Sequence, residues 1–360
     1  MKRIYNFRFS DLKYINADSD SILNKIFSSL ALLFFISFSG CTADYQGYLS
    51  AGNESYNNGD YREAIYYFRK VLELKPNDSQ AYFNIANAKS KLGFLYGAIE
   101  DYTHAINLNP NLLEAYLNRA KTRILSKNFY DALKDCNKYI EFKNSDPSGY
   151  FTRAYIKDAL SDYTGAIDDY SQAIELDPNS EKAFINRGNV KMKMDDYKGA
   201  DEDYSSAIKL NQKNDGAYLN RAGIKAISGN YQNAIADFNK AIEINPWNSD
   251  AYFLRGDLYN KLELYKKAVF DFTEAVRLNP SYYQVYFERG KTYHALKEYL
   301  DAIRDFSYCI KLNPKDSKAY LQRGLSKISF GKVKEGCNDL TTAGELGNFD
   351  AYSLINKNCK

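Results

Sequence analysis

Two histidines, five cysteines and two evenly spaced series of opposite charge are the residues of this chain whose types could do chemistry. His104 and His294 lie 190 residues apart, and neither has Cys, Glu or a second His at metal-ligand spacing, so both read as polar surface or lining side chains. A Gly-rich phosphate loop and a Gly-x-Ser-x-Gly nucleophile elbow are both missing. The charged series are Arg119, Arg153, Arg187, Arg221, Arg255, Arg289 and Arg323, and Asp101, Asp135, Asp169, Asp203, Asp237, Asp271, Asp305 and Asp339. An arginine and an aspartate could form an acid–base pair, but a reaction centre is not copied seven times at a fixed interval. A structural ion pair is the economical reading, and no cofactor or metal is expected.

The elements that position these residues follow from their interval. Ala64, Ala98, Ala132, Ala166, Ala200, Ala234, Ala268 and Ala302 are each 34 residues apart, and Gly336 takes the ninth place without any insertion. Aromatics keep the same beat, from Tyr48, Tyr82 and Tyr116 to Tyr320, and again from Phe68 and Tyr102 to Phe306. Within one unit, residues 215–246, apolar residues recur at three and four spacings on both sides of Ser228-Gly229-Asn230, which predicts two amphipathic helices and a tight turn. All seven prolines (Pro76, Pro110, Pro147, Pro178, Pro246, Pro280 and Pro314) fall at the junctions between units, where one helix must stop.

This pattern of small, aromatic and proline positions resembles the tetratricopeptide repeat (TPR) family over residues 45–350, in nine units. The resemblance implies an all-α fold, a right-handed α-solenoid or superhelix of helix-turn-helix units, whose first helices line a concave groove. Stacking is physically required, because a single hairpin cannot bury its apolar faces alone. Residues 351–360 are expected to cap the last unit. Counting units from residue 45 in steps of 34, the family contacts its ligands at the second, fifth, ninth, twelfth and thirteenth places. The fifth place forms an apolar stripe that includes Phe83, Leu117, Phe151, Ile185, Leu219, Phe253 and Phe287. The ninth is mixed, with Asn87 and Asn189 among Lys121, Tyr155, Gly223, Asp257 and Lys291. Members that grip a C-terminal carboxylate carry lysine at the fifth place, which this chain lacks. An apolar stripe with scattered amides suits an extended or helical peptide segment; packing between neighbouring first helices is the alternative reading of the same side chains.

The first 40 residues differ from all of this. Ile26 to Phe38 is a 13-residue apolar run, preceded by Lys25 and followed by Ser39-Gly40-Cys41. A membrane-spanning helix needs about 20 residues, whereas the core of a secretory signal is shorter. Small residues before a cysteine resemble the bacterial lipoprotein signal, in which the cysteine takes a diacylglycerol group and becomes the new N-terminus. The match is incomplete, since the family prefers Leu where Phe38 stands. Residues 1–40 thus read as leader and signal, 41–44 as a short tether with Cys41 as the lipidation site, and the cell envelope, facing the periplasm, as the location.

In such a compartment thiols can oxidise. Cys136 and Cys309 take packing places in their units, which leaves Cys337 and Cys359 as a possible disulfide stapling the last repeat to the cap. Five cysteines in 360 residues are too few for a disulfide scaffold. Net charge is +3, and beyond residue 40 there are 43 basic against 42 acidic residues, which argues against a nucleic-acid binder. Three functions remain: a lipid-anchored scaffold that binds a protein partner in its groove, a cytosolic co-chaperone or adaptor, and a regulator of glycosyl transfer. The short stretch beyond the ninth unit leaves little room for a catalytic domain, so no enzyme and no small-molecule substrate is expected.

Overall fold

In the computed structural model, which describes residues 44–359, the chain is helical throughout, and its contacts divide it into two units, one ending at Leu160 and one beginning at Ser161. The first holds α1 (44–57), α2 (Tyr61–Leu74), α3 (Ser79–Lys91), α4 (Leu95–Leu108), α5 (Leu113–Leu125), α6 (Phe129–Phe142) and α7 (Pro147–Ala159). The second begins with α8 (Tyr163–Leu176), α9 (Glu181–Lys193), α10 (Tyr197–Leu210), α11 (Asp215–Ile227), α12 (Tyr231–Ile244) and α13 (Ser249–Lys261). It continues with α14 (Tyr265–Leu278), α15 (Tyr283–Ala295), α16 (Tyr299–Leu312), α17 (Ser317–Ser329), α18 (Val333–Glu345) and α19 (Asp350–Asn358). Cys41, the apolar run before it and the rest of the leader lie outside the described residues.

Within each unit, consecutive helices pack on one another as hairpins, and the first helix of a hairpin also meets the first helix of the next, as in α3–α5 and α11–α13. The seam inside a hairpin is a small residue against an aromatic one. Ala268, Phe272 and Ala275 on α14 are fully buried against residues of α13, and a Cβ on Gly256 of α13 would come within 2.9 Å of the Phe272 ring. Gly188 meets Tyr204 and Gly290 meets Phe306 at the same distance. Close approach of the two backbones is therefore fixed by residue volume, with little tolerance for an added methyl group.

Between the two helices of a hairpin the chain reverses in three residues. The amide of Asn230 bonds the Lys225 carbonyl at 2.8 Å and that of Leu264 bonds Tyr259 at 2.9 Å, the six-residue closure that satisfies a helix C-terminus. This closure needs one residue with positive φ. Glycine supplies it at Gly59, Gly93, Gly229 and Gly331, but Lys127, Ser161, Asp195, Glu263 and Lys297 adopt the same left-handed backbone with φ between 58° and 64°. At the unit junctions, Asp78, Asn214, Asn248 and Asp316 cap the helix that follows. Pro147 occupies the first position of α7, where its missing N–H has no helical partner to lose.

The last helix, α19, buries Ala351 and lays Tyr352 against Gly344 of α18. A disulfide joins Cys337 of α18 to Cys359, with the two Cα atoms 5.9 Å apart. Cys136 and Cys309 are both fully buried, and burial pushes the Cys309 thiol up to about 12.

A left-handed residue with a side chain is strained by about 1–2 kcal/mol relative to glycine. Glu263→Gly, in a turn where the side chain is exposed, is expected to raise the urea midpoint by an amount corresponding to about 1 kcal/mol. An unchanged or lowered midpoint would show that the turn carries no such strain.

Candidate functional site

The first-helix face is held in register by arginine. In each of Arg119, Arg187, Arg221, Arg255, Arg289 and Arg323, Nε and Nη2 donate to the two carboxylate oxygens of the aspartate sixteen residues later, at 2.6–3.0 Å. That aspartate lies on the second helix of the same hairpin. The remaining nitrogen, Nη1, donates at 2.7–3.3 Å to a hydroxyl or amide oxygen sixteen residues earlier, on the second helix of the preceding hairpin: Thr103, Ser171, Ser205, Asn239, Thr273 and Ser307 respectively. Each guanidinium also lies over an aromatic ring three residues before it, for example Tyr218 at 5.6 Å and Tyr320 at 5.3 Å. One planar fork thus ties three helices together, a use for which lysine is the wrong shape.

Most of these aspartates take a second cation, twelve residues earlier on the first helix. Arg123 reaches Asp135 at 2.5 Å, Lys191 reaches Asp203 at 2.8 Å, Lys225 reaches Asp237 at 2.7 Å and Lys327 reaches Asp339 at 2.8 Å. Asp101, whose hairpin has Ile85 where the arginine would stand, pairs with Lys89 at 2.6 Å. At the corresponding places of two hairpins stand Tyr259 and Tyr293, whose rings lie near Arg255 and Arg289. There Asp271 and Asp305 have one cation each among the described residues, and burial holds both carboxyls above the usual carboxylate range despite the arginine. The second cation was missed in the sequence, although Lys89, Arg123, Lys191, Lys225 and Lys327 keep the same interval four residues after the arginine place, on the same helical face.

The apolar stripe is less open than a free groove would be. Leu117 is buried, and Phe83, Phe151, Ile185, Leu219, Phe253 and Phe287 are half-buried. Phe83 lies 5.9 Å from the Tyr102 ring, Phe253 lies 6.0 Å from Phe272 and 5.3 Å from Tyr282, and Phe287 lies 5.7 Å from Phe306. These rings are part of the seam as well as of the face, so truncating them costs stability along with any binding. The amides are likewise engaged: Asn87 Oδ1 accepts from the Tyr102 hydroxyl at 2.6 Å and from Asn118 at 3.0 Å, and Asn189 Oδ1 accepts from Tyr204 at 2.6 Å and Asn220 at 3.2 Å. Burial raises both tyrosines, Tyr204 to about 12, so these hydroxyls stay protonated donors.

A cleft of about 780 Å³ lies open between α15 and the start of α17. Phe287, Tyr283 and Leu312 line it together with the polar and charged Gln284, Glu288, Lys291, Asp316 and Lys318. Lys291 bonds Glu288 at 2.8 Å. His294, on the same helix, shares a 2.9 Å hydrogen bond with Ser326, while His104 is exposed and stacked on Tyr82. Among the described residues no group of three or more His, Cys, Asp or Glu could hold a metal ion, and no helix is long and apolar enough to cross a membrane.

Comparison with known proteins agrees with this geometry. The family model described as "TPR repeat" matches residues 52–93, 159–195 and 224–263. Two models described as "Tetratricopeptide repeat" match residues 249–282, and residues 79–112, 181–214 and 283–316. Together the matches span more than half of the chain. A tetratricopeptide repeat protein from Parabacteroides merdae is similar in structure over 69% of this chain and 98% of its own, with 20% identity and a TM-score of 0.53. The pilF structure from Pseudomonas aeruginosa is similar over 57% of this chain and 94% of its own, with 14% identity and a TM-score of 0.51. At such identities the likeness is one of fold. A search among curated proteins finds no match.

If the fork couples two helices, Arg221→Leu and Asp237→Leu will each cost about 3–5 kcal/mol, and the double variant will cost less than their sum by roughly 0.5–3 kcal/mol; additive losses in urea unfolding would deny the coupling. The acid side gives a second check. Because the folded Asp305 carboxyl sits above its unfolded value near 3.8, the folded chain binds more protons there. Its contribution is complete below that value and is lost as pH rises through the folded value. In Asp305→Asn, unfolding free energy is therefore expected to rise more steeply, or fall less, than in the wild type as pH climbs above about 3.8. Parallel profiles would contradict the assignment.

Proposed function

We propose, from the premise that the chain belongs to the tetratricopeptide repeat family, that it is a non-catalytic scaffold tethered by lipid to a bacterial envelope membrane, facing the periplasm. Repeats of this kind present their first helices as a surface for other proteins, and the partner here is a protein that offers an extended or helical segment. One observation carries the binding half of this reading: the cleft over Phe287 stays open on a face where other apolar side chains and amides are engaged internally. Its lining combines Phe287, Tyr283 and Leu312 with polar and charged side chains, a mixture that can seat a side chain and orient the backbone around it. The anchoring half rests on the resemblance of Ile26 to Cys41 to a lipoprotein signal.

The two halves are tested separately. Gln284→Trp adds bulk to the lining of the cleft and Lys318→Glu reverses a charge there, both at exposed positions. Crosslinked partner recovered from membranes should fall by about tenfold while the melting curve stays put; undiminished recovery would move the partner elsewhere. Labelled palmitate should enter the wild-type chain and not Cys41→Ser. Equal labelling of both, or none in either, would remove the anchor and favour a cytosolic adaptor.

A further inference from the structure

Between α13 and the first half of α14 lies a smaller cleft, of about 300 Å³, which is at the lower end of the roughly 300–1,000 Å³ of small-ligand sites. Arg255 and Tyr259 of α13 line it, with Lys266, Lys267, Phe270 and Asp271 of α14. Arg255 and Tyr259 stand at the seventh and eleventh places, about half a helical turn from Phe253 and Asp257 at the fifth and ninth. The cleft therefore belongs to the other side of α13 from the apolar stripe.

Its charge is unbalanced. Lys266 and Lys267 are exposed, and neither pairs with a carboxylate among the described residues. Lys267 lies over the Tyr259 ring, 5.5 Å from its centre. Asp271 does not supply the missing charge: its two oxygens accept from Nε and Nη2 of Arg255 at 2.8 and 2.6 Å, and it is only 1% exposed. Glu263, in the preceding turn, is not part of the lining. The other hairpins show that this is a local departure. Where a cation stands at the eighteenth place elsewhere, Glu63 follows Arg62, Gly199 follows Lys198 and Glu335 follows Lys334, whereas here two lysines are adjacent. They occupy the first turn of α14, which has no acidic residue, and the positive end of the helix dipole repels them. The inner cation that reaches the aspartate elsewhere, such as Lys225 on Asp237, is replaced here by Tyr259. Beyond the Tyr259 ring, no contact within the hairpin accounts for the two lysines.

We propose that this cleft binds a phosphate monoester, with Lys266 and Lys267 on the phosphate oxygens and the carbon part of the ester between Tyr259 and Phe270. A phosphate monoester carries about 1.5 to 2 negative charges at pH 7, close to what the two lysines leave unbalanced, whereas a carboxylate carries half as much. Two adjacent ammonium groups also present more donors than the two oxygens of a carboxylate use, and they match the oxygens of a phosphate. Phe270 is 62% exposed and stands one turn after Lys266 on the same face, which sets an apolar surface beside the charge. A lipid headgroup and a soluble phosphate monoester share this chemistry. The site is independent of the α15–α17 cleft and of the anchor.

Isothermal titration calorimetry on the full chain in mild neutral detergent tests the site, with phenyl phosphate, dihexanoylphosphatidic acid and a Glu-rich peptide as probes. At least one of the two esters should bind, and Lys266→Gln with Lys267→Gln should weaken it by about tenfold or more at an unchanged melting curve. Lys297→Gln with Lys334→Gln removes two exposed lysines outside the cleft and should leave the affinity unchanged. Phe270→Ala should weaken the ester through its carbon part. Preference for phenyl phosphate names a soluble ester and preference for dihexanoylphosphatidic acid a lipid headgroup, and either upholds the site. No binding of either ester, equal loss in the two lysine pairs, unchanged binding to Phe270→Ala, or tighter binding of the Glu-rich peptide than of either ester would overturn it.

Discussion

A buried guanidinium with three partners is the constraint on which the rest of this structure depends. Arg255 shows the arrangement: Nε and Nη2 on Asp271, Nη1 on Asn239, and the plane over Tyr252. Apolar burial alone would let stacked hairpins slide, since it is proportional to area and has no direction. A bidentate fork permits one register. The pair adds little net stability because desolvation offsets the attraction, yet breaking it leaves a buried charge, so its effect is to penalise every misaligned stack.

The register is fixed by the seventh and twenty-third places, and the approach of the backbones by small residues against aromatic ones, whereas the residue type at the ninth place changes from hairpin to hairpin. Variation collects there: amides at Asn87 and Asn189, bare backbone at Gly223, a carboxylate at Asp257, an ammonium at Lys291. The open cleft and the Asp257 carboxylate, which feels the Glu288 charge, fall in the second unit, between α13 and α17. The same stretch contains the two hairpins where tyrosine replaces the second cation. The open cleft and reduced electrostatic compensation thus share one part of the molecule.

The fold was legible because one interval governs helices, turns and ion pairs together. Arg221 and Asp237 could be paired by spacing alone, since each belongs to one hairpin. The bond from Arg221 to Ser205 crosses between hairpins, and no pattern within a unit predicts which atoms of the next one arrive there. Lys127 and Glu263 in left-handed backbone were equally hidden, because a turn that is glycine elsewhere gives no sign of strain when a charged residue replaces it. For the site, the sequence named Phe253, Phe287, Asn87 and Asn189 by place but not their burial. The Tyr102 hydroxyl that engages Asn87 comes from the second helix, outside any reading of the first-helix face. Cys337 and Cys359 were brought together by elimination among cysteines, and the structure joins them.

The central claim, that one arginine holds three helices, is tested most directly by hydrogen exchange on Arg255→Met. Amides of α12, α13 and α14 should lose protection together, because Asn239, Arg255 and Asp271 stand one on each. Loss confined to α13 and α14, with α12 as protected as before, would show an ordinary ion pair within a hairpin and contradict the account.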